Sequence, residues 1–174
     1  MCSRDFAILQ LLILAISMKL LLYAPEYRPN MSSMIRTAEF YGLQEVFIYD
    51  KNGLLATPKT KKERANMQHM GRVWTAGAVD HITITLVDDP RQFVNAHPKR
   101  VVGTVLSESA IPLRAATPNA DDLLILGPEK AGLPDDILSS IDLGVTIPHR
   151  GHTNCLNVAV TCGIVLHHWL DHET

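Results

Sequence analysis

Two stretches in the last third of the chain decide its fold. They read Leu-Leu-Ile-Leu-Gly-Pro-Glu-Lys-Ala-Gly-Leu-Pro at 123–134 and Ile-Pro-His-Arg-Gly-His-Thr-Asn-Cys-Leu-Asn-Val-Ala-Val at 147–160. The first predicts a buried strand that ends at Gly127 and an acidic loop bracketed by glycines. In the second, a short strand ends at Ile147 and a polar loop leads through Cys155 into an apolar helix. Such strand-end loops form a crevice at the carboxyl edge of a parallel sheet, where open α/β folds bind ligands.

Leucine-rich or β-branched runs recur along the chain and alternate with helical patterns. Several runs are continuously apolar, which is typical of strands covered on both faces of a parallel sheet. The pattern therefore predicts an α/β fold with a mostly parallel sheet flanked by helices. The predicted strands are 20–23, 46–49, 82–87, 101–106, 123–126 and 145–147.

Two helices are predicted in the first half of the chain. One begins after Pro29, with Asn30 as its N-cap, and ends at Gly42. The other covers about 59–76. Its apolar side chains are expected to face inward, and they are Met67, Met70, Val73 and Trp74.

The last helix, predicted at about 155–171, is apolar over an unusually wide arc. A helix of this kind is buried on more than one face, by a sheet on one side and by a second subunit on the other. The pattern predicts a homodimer formed through the C-terminal helix. In a free monomer, Leu166, Trp169 or their neighbours would then be exposed as an apolar patch.

Composition sets limits on the class of protein. The chain has 174 residues, 47% hydrophobic and 20% charged, which fits one globular domain and excludes a disordered chain. A net charge of −2 means that any nucleic acid would bind a local basic patch. The three cysteines form no disulfide framework and lack zinc-ligand spacing, so we expect a cytoplasmic protein without a metal.

The beginning of the chain has two interpretations. Residues 6–16 are apolar, which is compatible with a signal peptide or membrane tether, but the run is too short to span a bilayer and Lys19 interrupts its continuation. We favour a domain that covers 18–174 and starts with a strand after Met18. Residues 1–17 would then be an N-terminal extension of doubtful role, and no membrane association is expected.

The chain contains neither G-x-G-x-x-G nor G-x-x-x-x-G-K-[ST]. Instead, three blocks in order resemble the SpoU branch of the SPOUT RNA methyltransferases. The blocks are Leu-Tyr-Ala-Pro-Glu-Tyr-Arg-Pro-Asn-Met-Ser-Ser-Met-Ile-Arg at 22–36, Leu-Gly-Pro-Glu-Lys-Ala-Gly-Leu-Pro at 126–134, and Ile-Pro at 147–148 followed by Cys-Leu-Asn-Val-Ala at 155–159. The resemblance implies a C-terminal trefoil knot that binds S-adenosylmethionine, and methylation of a ribose 2′-hydroxyl in RNA.

The resemblance also implies roles for individual residues. Arg36 would engage the target ribose and the adjacent phosphate, at a site formed with the other subunit. Asn30, Glu129 and Asn157 would organise the catalytic site. The residues expected to line the cofactor are Val105, Gly127, Ile147, Cys155 and Leu156. Independently of the resemblance, Lys61, Lys62, Arg64 and Arg150 are candidate RNA-phosphate contacts because of their charge, although a solvated face is the more common role of a basic cluster on a helix.

Two positions depart from the family pattern. Ser32-Ser33 replaces a frequent Gly-Asn, and Cys155 replaces a serine, so that a weak thiol donor stands where a hydroxyl is usual. These departures keep open a second hypothesis, a catalytically inactive RNA-binding protein of the same fold. The short chain, without an appended RNA-binding domain, resembles tRNA-modifying members, so tRNA is favoured over rRNA as the substrate.

Overall fold

The computed structural model describes residues 17–55, 59–153 and 155–170. Its strands are β1 (Lys19–Tyr23), β2 (Glu45–Tyr49), β3 (Thr83–Leu86), β4 (Val101–Thr104), β5 (Ile111–Pro112), β6 (Leu123–Leu126) and β7 (Leu143–Thr146). Its helices are α1 (Arg28–Phe40), α2 (Lys61–Thr75), α3 (Pro90–Asn95), α4 (Asp135–Leu138) and α5 (Val158–Leu170), with 3₁₀ turns at Ala78–Asp80 and Leu113–Ala115.

The strands form one parallel sheet in the order β3-β2-β1-β6-β4-β7-β5. This confirms the predicted α/β fold with a parallel sheet, whereas the trefoil knot stays a prediction. Strand β5 was not predicted because it has only two residues. Its Pro112 lacks an N–H donor, which fits its position at the edge of the sheet.

Alternating side chains of the central strands face two separate cores. Leu20 and Leu22 point into the core that contains α1 and α5, whereas Leu21 points into the core on the opposite face, with Phe47 and Ile137. Helices α1 and α5 therefore share one face of the sheet and pack against each other. This pairing brings the first and last predicted blocks together.

The start of α1 differs from the prediction. The helix begins at Arg28, its N-cap is Tyr27, and no side chain caps it. Asn30 lies inside the first turn, and its side-chain amide bonds to Glu129 instead. A long-range partner has replaced the local role that is common for asparagine at a helix start.

Helix α5 begins at Val158, so Cys155 lies in the preceding loop rather than in the helix. The expectation that Leu166 and Trp169 need a second subunit for burial is wrong. They are 0% and 1% exposed, since α1 and the sheet already cover them. The apolar face that remains open is nearer the start of the helix, where Val160 is 50% exposed.

The predicted inward face of α2 is wrong for three of its four residues. Met67, Val73 and Trp74 are 36%, 57% and 43% exposed, Met70 is half-buried, and Thr75 is the buried residue of this helix. The helix makes its main contacts with α1 and with the turn at Ala78–Asp80 rather than with the sheet. The amphipathic pattern is real, but most of its apolar face is left uncovered in the described subunit.

None of the helices in the described ranges combines the length and apolar composition needed to cross a bilayer. Apart from Ser17, whose hydroxyl donates to the Ala120 carbonyl at 2.7 Å, the proposed extension at 1–17 lies outside the described residues. Its role stays a prediction.

Candidate functional site

A cleft of about 880 Å³ lies at the carboxyl edge of the sheet. Strands β6, β4 and β7 are neighbours in the sheet order, so the loops that follow them meet at this edge. Residues of all three loops line the cleft, and its volume suits a drug-sized or nucleoside-sized ligand. The strand order therefore builds the crevice that the strand-end loops predicted.

All five residues expected to contact a cofactor line this cleft. They are Val105, Gly127, Ile147, Cys155 and Leu156. Two apolar side chains on its wall remain in water, because Leu156 is 48% exposed and Leu106 is 70% exposed. Exposed leucines beside backbone and polar groups fit a ligand that has both an apolar ring and polar groups.

Glycines allow the walls of the cleft to come close together. A Cβ atom on Gly144 would lie 2.8 Å from Val105 Cγ2, and one on Gly127 would lie 3.1 Å from the backbone nitrogen of Leu133. Distances this short are below ordinary van der Waals contact, so a side chain at either position would displace the wall. The backbone thus shapes the cleft within β7 and just after the end of β6.

A chain of hydrogen bonds joins the three sequence blocks beside the cleft. Asn157 Nδ2 donates to Asn30 Oδ1 at 3.1 Å, and Asn30 Nδ2 donates to Glu129 Oε1 at 2.7 Å. The backbone N–H of Glu26 donates to Glu129 Oε2 at 3.0 Å. Residues from the two ends of the domain are therefore held to one carboxylate in the middle block.

Asn157 also fixes the start of α5. Its Oδ1 accepts from the backbone N–H of Ala159 at 2.8 Å and of Val160 at 3.4 Å, which is the geometry of an N-cap. The same side chain thus orients the last helix with its oxygen and Asn30 with its nitrogen. This double use explains why an asparagine suits the position.

The loop between β1 and α1 is held in an uncommon conformation. Ala24 has φ 48°, a left-handed value that non-glycine residues rarely adopt. Asn52 Nδ2 donates to the carbonyls of Ala24 and Pro25 at 3.2 and 2.9 Å, which holds the loop in place. Strained backbone of this kind clusters at functional sites.

Sequence reasoning missed Glu26, Tyr27 and Asn52 as residues of this region. Glu26 Oε2 is buried and has no hydrogen-bond partner among the described residues. The pKa of Lys130 is raised, chiefly through its interaction with the Tyr27 side chain, and further by the negative charge of Glu26. The motif containing Glu26 and Tyr27 was visible, but nothing in the local sequence pointed to Asn52.

Arg36 does not reach the cleft of its own subunit. It is exposed on α1 and lines a different groove of about 510 Å³, formed between α1 and α5. Within the described ranges, its guanidinium has no hydrogen-bond or salt-bridge partner. Phe40, which is 77% exposed, lies in the same groove with Val160 and Gly163. The structure thus separates Arg36 from the other three residues predicted for the catalytic site.

The predicted RNA contacts lie on two elements. Lys61, Lys62 and Arg64 are exposed in the first turns of α2. Arg150 is exposed in the loop after β7, between His149 and Gly151, which line the cleft. Over the ranges that the structure describes, no group of three or more His, Cys, Asp or Glu residues is arranged to hold a metal ion.

Similar proteins were found among characterised RNA-modifying enzymes. The 23S rRNA (guanosine-2′-O-)-methyltransferase RlmB of Acinetobacter baylyi is 30% identical over 139 residues, which are 79% of this chain and 53% of the relative. The tRNA (cytidine(34)-2′-O)-methyltransferase of Beijerinckia indica subsp. indica is 29% identical over 147 residues, 84% of this chain and 86% of the relative. The chain therefore spans about half the length of the first relative and most of the second.

The fold and the sequence profile agree with these relatives. The crystal structure of an AdoMet-bound rRNA methyltransferase from Sinorhizobium meliloti has a TM-score of 0.72 and 23% identity, and the match covers 91% of this chain and 57% of that one. At this identity, the likeness establishes the fold. The profile of the SpoU rRNA methylase family matches residues 17–167. The chain belongs to the SpoU rRNA methylase family.

Proposed function

We propose that the protein is an S-adenosylmethionine-dependent methyltransferase that modifies a ribose 2′-hydroxyl in RNA and acts as a homodimer. The observation that carries the proposal is the hydrogen-bond chain from Asn157 through Asn30 to Glu129, beside a cleft of about 880 Å³. The names of the Acinetobacter and Beijerinckia relatives, both RNA 2′-O-methyltransferases, support the same reaction.

The cleft fits S-adenosylmethionine by its volume and its mixed lining. The leucine side chains at its wall suit an adenine ring, and the backbone at Gly127 and Ile147 suits the polar parts of the molecule. A related fold was crystallised with this cofactor. When bound, the cofactor supplies an activated methyl group, so the protein's main contribution is to position the acceptor hydroxyl.

Glu129 serves as an organiser of the site in this proposal. Both of its carboxylate oxygens accept hydrogen bonds, one from Asn30 and one from the Glu26 backbone. These bonds fix the orientation of the carboxylate, and they hold the start of α1 against the loop after β6. A carboxylate used in this way positions its neighbours rather than accepting the proton of the ribose hydroxyl.

Arg36 would act at the cleft of the other subunit. It is exposed in the α1–α5 groove of its own chain, next to an apolar surface formed by Phe40 and Val160. A two-fold pairing of this groove would bury the apolar surface and carry Arg36 to the partner. Arginine remains charged in proteins, so its role would be to orient the ribose and phosphate and to stabilise negative charge.

We favour tRNA over rRNA as the substrate. The chain covers 86% of the Beijerinckia tRNA methyltransferase but 53% of the Acinetobacter rRNA methyltransferase. The match thus runs over most of a relative whose name gives a tRNA position. The local basic residues on α2 and at Arg150 would contact RNA phosphates.

The alternative, an inactive RNA-binding protein, rests on Ser32-Ser33 and Cys155. Within the structure, Ser32 is 4% exposed inside α1, and Thr37 Oγ1 donates to the Ser33 carbonyl at 2.8 Å. The helix therefore continues through the first departure without a break. Cys155 lines the cleft, so its effect on the cofactor can be tested directly.

Two measurements test the proposal. Calorimetry with S-adenosylmethionine should show one binding site per subunit. If folded protein does not bind the cofactor at millimolar concentration, the proposed enzymatic function is refuted. Nucleoside mass spectrometry of tRNA and rRNA, from cells with and without the gene, should show one 2′-O-methylated nucleoside that depends on the gene. Cofactor binding without any missing nucleoside would favour the inactive alternative.

A further inference from the structure

Two exposed aromatic rings lie at the N-terminal end of α1, each beside a cation from a different element. Tyr27 is 49% exposed, and Lys130 Nζ lies 5.6 Å from its ring centroid. Trp74 of α2 is 43% exposed, and Arg28 Cζ lies 6.0 Å from its ring centroid. Tyr27 and Arg28 are consecutive residues, so the two cation–aromatic pairs are neighbours.

The Tyr27–Lys130 pair adjoins the proposed active site. Tyr27 follows Glu26, whose backbone bonds to Glu129, and it precedes Asn30, whose side chain bonds to the same carboxylate. Lys130 itself lines the cleft. The ring is thus attached to the frame that holds the hydrogen-bond chain, and its partner Lys130 lies on the wall of the cleft.

The Arg28–Trp74 pair is held by a second set of contacts. Arg28 Nε donates to the Leu54 carbonyl at 2.9 Å. The segment around Leu54 is fixed in turn by Asp50, whose carboxylate accepts from the backbone N–H groups of Leu54 and Leu55 at 2.8 and 2.7 Å. The guanidinium is therefore oriented before any ligand arrives, which lowers the cost of ordering it.

The charge of helix α2, which carries Trp74 near its end and three of its cations about 15 to 20 Å away in its first turns, favours a nucleic acid over a second copy of the chain. Helix α2 carries Lys61, Lys62, Arg64 and Arg72, against the single acid Glu63. Among the described residues, Arg72 pairs with Asp80, and the other three cations have no salt bridge. Two copies meeting at this surface would place like charges together, whereas phosphates would neutralise them.

We propose that Tyr27 and Trp74 are stacking positions for unpaired bases next to the methylated ribose. The inference rests on the proposed function and names its substrate class, which is single-stranded or loop RNA rather than a double helix. Aromatic rings and guanidinium planes stack on splayed bases, and the faces of bases inside a duplex are already occupied. Lys130 and Arg28 would hold the adjoining phosphates while the rings hold the bases.

Binding measurements with two RNA probes test the inference. The probes are a short hairpin with an unpaired loop and a fully paired duplex of the same length, titrated with the full chain by fluorescence anisotropy. Wild-type protein should prefer the hairpin by about a hundredfold, because each of two stacked bases contributes about tenfold. Tyr27→Ala and Trp74→Ala should each lower that preference by about tenfold, whereas Tyr27→Phe and Trp74→Phe should stay within about twofold of the wild type.

Val73→Ala is the matched control, since Val73 is 57% exposed on the same helix and should not affect hairpin binding. Unchanged melting temperature and cofactor titration would show that each variant is folded. If the wild type transfers methyl groups to RNA but the alanine variants bind the hairpin equally well, or the duplex binds as tightly as the hairpin, the stacking inference is overturned. If the wild type transfers no methyl group to any RNA, the proposed function itself fails.

Discussion

The two ends of helix α1 differ in how far one subunit completes them. At its start, Asn30 is bonded to Glu129 and Asn157, so these three side chains have partners within the chain. Near its end, Arg36 and Phe40 are exposed in an open groove beside α5. The contacts at the first end are made within one subunit, whereas we propose that a second subunit covers the exposed surface at the other end. One helix thus links a cleft built within the subunit to a groove that we assign to a partner.

The largest effect should come from Arg36→Ala. We expect methyl transfer to fall at least about a hundredfold, because the variant removes the charge proposed to hold the ribose and phosphate. Cofactor affinity should change little, since Arg36 lies outside the cleft lining. Transfer assays and calorimetry on the same preparation separate the two effects, with Arg36→Lys as the charge-retaining control. A parallel loss of both would mean that Arg36 supports the cleft of its own chain.

Gly163→Leu should prevent the pairing of two subunits through the α1–α5 groove while leaving each subunit folded. Nothing lies within 4 Å of a Cβ built on Gly163, so the new side chain meets open space in the monomer and a partner in the dimer. We expect dissociation by light scattering and a matching loss of transfer. Gly71→Leu is the control, because Gly71 is also a helical glycine with no atom near its Cβ. A dimeric, active Gly163→Leu protein would place the interface elsewhere.

Asn157→Ala should destabilise the region where the start of α1 meets the start of α5. It removes the cap of α5 and the bond to Asn30, and the free energy of unfolding should fall by about 1 to 2 kcal/mol. Asn157→Asp keeps the capping oxygen but cannot donate to Asn30, so it should retain stability and lose cofactor affinity or transfer. Denaturant unfolding and calorimetry give the two readings. If the alanine variant is as stable as the wild type, the capping role of Asn157 is contradicted.

The smallest effect concerns the two described cysteines. Cys155 is exposed in the cleft, whereas Cys162 is buried, and this burial raises the pKa of the Cys162 thiol to about 12. Alkylation near neutral pH should therefore modify Cys155 and spare Cys162, because the thiolate is the reactive form. Saturating S-adenosylmethionine should slow the Cys155 reaction, as followed by peptide mass spectrometry. If bound cofactor leaves the rate of Cys155 labelling unchanged, Cys155 does not contact the cofactor.

Sequence reasoning succeeded where a local pattern has one physical outcome. The apolar runs around Leu124 and Val102 had to be buried strands, and parallel strands bring their following loops to one edge. That logic located the crevice, and the five residues that the family resemblance assigned to the cofactor all line it. The prediction of these strands succeeded because a continuously apolar strand must be covered on both faces, which places it in the interior of a parallel sheet.

The same reasoning failed where the outcome depends on which surface covers a helix. The periodicity of α2 identified an apolar stripe, but not that Val73 and Trp74 would remain exposed. For α5, the wide apolar arc was real, but the subunit itself covers Leu166 and Trp169. Asn30 was assigned a local cap because its partner, Glu129, is 99 residues away in the chain. Periodicity identifies apolar faces, and tertiary packing decides what covers them.

The shared site is the central claim, and a mixing experiment tests it most directly. Arg36→Ala and Asn157→Ala protein would be unfolded together, refolded and assayed for methyl transfer. Each should be inactive alone, since Asn157→Ala also removes the hydrogen bond that orients Asn30. If Arg36 serves the partner's cleft, each mixed dimer has one site with both residues intact. Random pairing gives about half mixed dimers, so activity should return to about a quarter of the wild-type value. Activity that stays at the level of the separate variants, in a preparation shown to contain mixed dimers, would contradict the shared site.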